Sequence, residues 1–236
     1  MDTPIPKTHR DISGLRRVKR RMTTQDLVYE QLRDALIAGK FEAGQGFTIS
    51  ALADQFGTSH MPVREALRRL AAENALSIGT SGTAMVPLTS SRDLDFLCET
   101  RCILEGKAAE LAATKIDADA LAHLEDVARS HVEALRDGAS DRMLASNREL
   151  HFGVYAATGN PVTINLIQNL WLRYGPYVRL LSDRMTDLLI SDSGGSYSRH
   201  HMALIAALRV GDGPAAAEAI VADITSTQSL LHQFCN

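Results

Sequence analysis

The sequence predicts a mainly α-helical protein: an N-terminal winged helix-turn-helix followed by an antiparallel bundle of six or seven helices. Three observations point there. Residues 23–88 show three short amphipathic segments, the last two joined by a tight Gly57-Thr58-Ser59 turn, and then two short apolar runs around Gly79–Gly82. From Ser91 onward every apolar pattern has helical period and the breaks are short, as in antiparallel bundles. Charge is also divided: residues 1–92 carry a net +4 and residues 93–236 a net −7, within a total of −3. A basic front and an acidic back mean that only the front is suited to a polyanion.

The length of 236 residues leaves room for two domains, expected at residues 23–90 and 91–236 behind a flexible basic arm at 1–22. With 45% hydrophobic and 22% charged residues, the composition is that of a globular chain rather than a disordered or fibrous one. No run approaches the roughly 20 apolar residues that span a bilayer, and the start lacks a secretory pattern. The expectation is a cytoplasmic protein with no membrane partner. Cys98, Cys102 and Cys235 are too few for a disulfide framework. Cys98 and Cys102, four apart, read as small apolar helix residues, with a metal or redox pair as the alternative.

The first helix begins at Thr23 or Thr24, either able to cap, and places Leu27, Val28, Leu32, Ala35 and Leu36 on one face before Gly39. After a Gly44–Gly46 turn, Thr48 caps a short helix with Leu52, Ala53 and Phe56 inside and Gly57 closing it. In the third helix Pro62 suits the first turn, and Val63, Ala66, Leu67 and Leu70 form the buried stripe. Ser77-Ile78 and Ala84-Met85-Val86 then pair as a hairpin, stopped by Pro87. The remaining helices fall at about 92–114, 117–137, 140–158, 161–189, 196–210 and 213–233. Pro176 should kink or divide the fourth of these, because proline removes a helical hydrogen bond and clashes with the preceding turn.

A helix enters a DNA major groove when a second helix braces it, small residues let the two cross, and its outer face carries donors. Thr48 to Leu70 meets these needs. Ala53 and Gly57 permit the crossing, Ser59 and His60 lead the helix, and Arg64 and Arg68 lie outside the buried stripe. Backbone amides at the helix start favour phosphate oxygens, so Ser59 can position while His60 and Arg64 read or clamp. Gly82 would let the wing tip approach the double helix. The plainer alternative is a solvated face balanced by Glu65 and Glu73. A net +4 is modest, so a dimer would be needed to gather enough phosphate contacts.

The run Gly57-Thr58-Ser59-His60-Met61-Pro62-Val63-Arg64-Glu65-Ala66-Leu67, with Leu52-Ala53 before it and Gly82…Val86 after it, resembles the signature of the GntR family of winged-helix regulators. The resemblance implies a homodimer that binds double-stranded operator DNA. That family often has arginine where this chain has Ser50 and His60, both at positions that tend to meet DNA, so the operator sequence does not carry over. The helical remainder resembles the ligand-binding (FCD) domain of the FadR-like branch. The resemblance rests on Arg101-Cys102-Ile103-Leu104-Glu105, His151-Phe152…Gly159-Asn160-Pro161 and His201…Ala207…Gly211-Asp212. It implies a cavity holding a divalent metal and a small carboxylate effector that changes DNA affinity.

Spacing argues for the metal independently. Asn147 and His151, four apart, share a helix face with Leu144, Val154 and Tyr155. His201 and Asp223 are each eleven residues from Asp212 in the Gly211–Gly213 turn, so a helical hairpin returns them to one level, roughly 15 Å from the turn. A carboxylate facing a core needs a cation or donor. Imidazoles with a carboxylate suit zinc, nickel, manganese or iron. The family usually has an acidic residue at Asn147 and a histidine at Asp223. The two departures either exchange the acidic ligand between helices or mark a lost site whose cavity binds effector without metal. His200 should point about 100° away from His201 on the helix.

By the same resemblance Arg101 faces the pocket, where its fork suits a carboxylate, a salt bridge with Glu105 or another acid being the alternative. Tyr155 is placed with it as an effector residue. Trp171, Tyr174 and Tyr177 read as cavity lining or plain core. A metal-dependent enzyme joined to a nucleic-acid module is the rival reading, weakened by the lack of a nucleophile–base set or phosphate-cradling loop. A bundle that only dimerises the DNA-binding part is a third.

Overall fold

The computed structural model describes residues 22–79, 83–191 and 195–235. The basic arm up to residue 21 and Gly82 lie outside the described residues. Helix α1 (Thr24–Ile37) starts from a capping box: Thr23 Oγ1 accepts from the Asp26 amide at 3.2 Å and the Asp26 carboxylate accepts from the Thr23 amide at 3.0 Å. Its buried face is Val28, Tyr29, Leu32, Leu36 and Ile37. Leu27, expected inside, is exposed, because α1 packs against both α3 and α7 and this turns the face toward Tyr29.

Helix α2 (Ile49–Phe56) is capped by Thr48 and ends on Gly57, whose φ of +59° is the left-handed conformation that glycine adopts without strain. Helix α3 (His60–Ala72) buries Val63, Ala66, Leu67 and Leu70 against α1 and α2, as its period predicts. The wing has one strand more than the sequence reading. β1 (Gly46–Phe47) joins β2 (Ser77–Ile78) and β3 (Ala84–Met85) in an antiparallel sheet of order β1-β3-β2. Gly46 pairs with Met85, and Phe47 with Ala84. A two-residue strand whose partner is so distant in sequence leaves no periodicity to read.

The bundle comprises α4 (Ser91–Ala113), α5 (Ala118–Arg136), α6 (Ser140–Ala157), α7 (Pro161–Ser191), α8 (Gly195–Val210) and α9 (Gly213–Leu231). Helix α4 packs chiefly on α9, α5 on α6 and α8 on α9. The approach of α4 to α9 is close: a Cβ at Gly213 would stand 2.9 Å from the Glu110 carbonyl oxygen. Helix α7 runs on through Pro176 rather than dividing there. Proline costs an unshared helix several kcal/mol, but here Trp171, Leu172, Tyr174 and Tyr177 around it are buried, and packing holds the helix together.

That stretch of α7 is also where the bundle meets α1. A Cβ on Gly175 would lie 2.1 Å from the Leu36 carbonyl oxygen, so only glycine allows this backbone contact. Beside it, Tyr177 Oη accepts from the Ser90 amide at 3.1 Å and donates to the Ser90 carbonyl at 3.0 Å, while Arg33 donates to Gln168 at 2.8 Å. The winged helix and the bundle are therefore packed against each other through α1 and α7.

Candidate functional site

The face of α3 opposite its buried stripe carries His60, Arg64 and Arg68, all exposed, and Ser50 is exposed on neighbouring α2. Ser59 occupies the N-cap without a side-chain bond to the helix, so its hydroxyl remains available beside the first amides. Among the described residues Arg64 has no intramolecular partner, whereas Arg68 meets Glu65 at 3.2 Å. That exposed pair is worth at most about 1 kcal/mol and would exchange readily for a phosphate. Arg69 is differently employed: its guanidinium lies 3.5 Å over the Tyr29 ring and 3.5 Å from Glu73, which ties α3 to α1. Tyr29 in turn donates to Glu73 at 2.8 Å.

Within the bundle lies a cavity of about 150 Å³, lined by Arg101, His131, Asn147, Trp171 and Asp223 among others. An enclosed volume of this order elsewhere admits benzene. Its wall also includes Ile37, Ala38 and Lys40, from the end of α1 and the turn after it. Lys40 forms an exposed ion pair with Asp141 of α6 at 3.4 Å.

His151, His201 and Asp223 converge deep in this region, with one ligand atom from each within 4.8 Å of the others. His151 Nε2 lies 3.2 Å from Asp223 Oδ2, and His201 Nε2 lies 3.4 Å from Asp223 Oδ1. Neither nitrogen makes an aligned hydrogen bond there. Donors about 2.0–2.2 Å from one tetrahedral ion stand roughly 3.3–3.6 Å apart. The two histidine–carboxylate distances are of this order, and two imidazoles and a carboxylate whose ligand atoms all lie within 4.8 Å of one another suit a divalent transition cation. Burial opposes ionisation of Asp223, yet His201 and His151 beside it hold its carboxyl well below the usual range. Burial likewise disfavours a charged His151, and Asp223 and Glu105 outweigh it and raise its pKa.

Behind the convergence is a buried polar network. Glu105 accepts from Arg101 Nε at 2.7 Å and Nη2 at 3.2 Å, from Tyr155 Oη at 2.6 Å and from Trp171 Nε1 at 3.1 Å. Burial would raise its carboxyl, but the Arg101 guanidinium holds it down, at about 2. Tyr155 Oη also lies 2.9 Å from His151 Nδ1. Because that hydroxyl gives its hydrogen to Glu105, the imidazole donates from Nδ1, and in the neutral ring this leaves Nε2 as the lone-pair nitrogen on the Asp223 side. Outer partners of this kind orient metal-binding histidines.

The chain matches the bacterial regulatory protein gntR family over residues 24–85 and the FCD domain over residues 96–226. It belongs to the GntR family of transcription regulators, with an FCD domain as its helical part. The HTH-type transcriptional regulator McbR of Escherichia coli K12 is 28% identical over 209 residues, covering 89% of this chain and 93% of McbR. A probable D-xylose utilization operon transcriptional repressor of Paenarthrobacter nicotinovorans is 29% identical, covering 84% and 85%. The solved structure of E. coli McbR/YncC superposes with a TM-score of 0.83 at 27% identity, over 91% of this chain and 99% of that one. A putative GntR regulator from Rhodococcus sp. RHA1, TM-score 0.72 at 17% identity over 90% and 99%, shares the fold. These families and relatives are regulators, so the chain is a DNA-binding regulator and the enzyme reading is set aside. Among the described residues no helix is long and apolar enough to cross a membrane.

In this GntR regulator the structure brings together His151, His201 and Asp223, with Asn147 half-buried on the same cavity wall. His200 points elsewhere, its Nε2 3.0 Å from Ser226 Oγ. Arg101 does border the cavity, but two of its nitrogens are committed to Glu105, and it lies between the Trp171 and Tyr174 rings. Tyr155, expected beside the effector, is instead one layer back, fully buried between Glu105 and His151. Trp171 and Tyr174 line the cavity while Tyr177 binds Ser90. Cys98 is buried and free, its thiol pushed up to about 11 by burial, as suits an apolar filler. The sequence reading passed over His131. Its one signal was a place on the Leu124, Val127, Ala128, Ala134, Leu135 stripe of α5, where an imidazole must find buried partners.

Proposed function

We propose that the protein is a homodimeric, effector-responsive regulator of the FadR-like kind. Its operator affinity changes when a small organic acid binds in the cavity beside a divalent metal. One observation carries the reading: a single cavity is walled both by the bundle, through Arg101, Asn147 and Asp223, and by Ile37, Ala38 and Lys40 at the end of α1. A ligand there touches the DNA-binding part without any relay. Residues His151, His201 and Asp223, with Asn147 beside them, would hold zinc, nickel, manganese or iron. Such an ion would offer a positive centre and open positions to an effector carboxylate.

The chain's own groups suit the acid as well. The Lys40–Asp141 pair is exposed and therefore weak, about 1 kcal/mol or less, so an incoming carboxylate competes easily for the Lys40 ammonium. The Gly175–Leu36 contact then transmits any shift of α7 to α1, since two packed backbones cannot slide independently. Homodimerisation, in the cytoplasm, doubles the modest positive charge presented to DNA. Phe96 and Ile103, seven apart on α4, leave an exposed apolar strip for a second copy.

DNA binding by α3 is tested by fluorescence anisotropy on fragments flanking the protein's own gene. Arg64→Ala should weaken binding by about 1–3 kcal/mol and, if Arg64 holds a phosphate, lower the salt slope by about one. Unchanged affinity and slope would remove Arg64 from the interface. If no small carboxylate stabilises the protein and no metal copurifies, the bundle serves dimerisation alone.

A further inference from the structure

We propose that His131 is an additional metal ligand, supplying a third imidazole to the cation site of His151, His201 and Asp223. The inference rests on the metal reading above and extends it to a residue on a different helix, α5. His131 is 1% exposed. Its Nδ1 lies 3.1 Å from the Met143 carbonyl oxygen and 3.2 Å from Ser146 Oγ. The carbonyl can only accept, and the Ser146 hydroxyl is already directed at the Arg142 and Met143 carbonyls, so Nδ1 carries the hydrogen. The neutral ring then presents a bare lone pair at Nε2, and that atom is buried with no partner.

A histidine serving only as core filler would have little reason to keep a lone pair dry and unmatched, since buried polar atoms are nearly always paired. The surroundings say what the partner is. His131 borders the same cavity as Asn147 and Asp223, and its ring stands edge-on to His201 with centroids 4.6 Å apart. It is not among the groups whose ligand atoms lie within 4.8 Å of one another, but it packs on the His201 side of them, so coordination requires its ring to move toward the triad. An imidazole whose Nδ1 hydrogen is fixed on a backbone carbonyl is the arrangement in which Nε2 binds metals. It also answers the chemistry of Asn147: a neutral amide is a poor ligand for the borderline-soft cations that imidazole prefers. A third imidazole restores a strong donor set.

Cobalt(II) is the probe, added to the purified protein of 236 residues. Proton NMR of the cobalt-loaded wild type should show three exchangeable, hyperfine-shifted imidazole N–H resonances, one each from His131, His151 and His201. In His131→Gln one of the three should vanish and cobalt affinity should fall at least 10-fold, while His200→Gln keeps all three. Two shifted N–H resonances in the wild type, a count that needs no variant to fold, would overturn the assignment of His131 and leave the triad intact. Absence of cobalt binding by the wild type would overturn both it and the metal reading.

Discussion

Replacing Glu105 by alanine is expected to destabilise the protein by about 3–5 kcal/mol, the cost of breaking a buried ion pair from one side. Glu105 is fully buried and accepts four hydrogen bonds, two from Arg101 and one each from Tyr155 and Trp171. Its loss leaves the Arg101 guanidinium, whose side chain is 4% exposed, with no counter-charge between two aromatic rings. At roughly 2–4 °C per kcal/mol for a chain of this size, the melting temperature should fall by about 6–20 °C. Denaturation by heat and by urea checks this. The joint variant Arg101→Met with Glu105→Leu should recover much of the loss, because the pair owes part of its apparent value to the penalty for stranding one charge. A loss below about 1 kcal/mol for Glu105→Ala would mean that the network is relaxed or solvated.

His201→Ala is expected to lower divalent-metal affinity more than the roughly 10–100-fold that loss of an outer-shell partner costs. His201 is 2% exposed, and both its ring nitrogens lack aligned hydrogen-bond partners. With Nε2 at 3.4 Å from Asp223 Oδ1, its removal takes one of two imidazoles from the triad and leaves Asp223 paired only with His151. Tyr155→Phe tests the layer behind: it keeps the ring but deletes the hydroxyl that fixes His151, so its effect should stay within the outer-shell range. Metal content after purification and chelator competition report both. Unchanged content in His201→Ala would place the metal elsewhere.

The elements legible from the sequence were those set by local chemistry. Thr23 or Thr24 and Thr48 as caps, Gly57 as a stop and the Gly211–Gly213 turn marked helix ends through local chemistry, and the structure places the caps at Thr23, Thr48 and Asp212. The meeting of His201 with Asp223 could be read because a helical hairpin has one geometry: equal distances from a turn return to one level. What was missed depends on distant chain. β1 exists only because β3 pairs with it, and α7 stays whole at Pro176 because buried neighbours hold it. Likewise Arg101 was read as a pocket cation or as half of a salt bridge, and it borders the pocket while bonded to Glu105. For His131 the α5 stripe signalled burial only; that its ring meets His201 follows from the packing of α5 against α6 and α8, which is set by distant chain.

The central claim is that the α1-walled cavity and the DNA face are coupled, and DNA affinity measured with the cavity filled tests it most directly. A small carboxylate that raises the melting temperature is first chosen by thermal shift, and operator-fragment affinity is then measured with and without it. The account predicts a change of about 5–150-fold, with DNA altering the carboxylate's affinity by the same factor. A carboxylate that binds the cavity, stabilises the protein and leaves DNA affinity unchanged would contradict it.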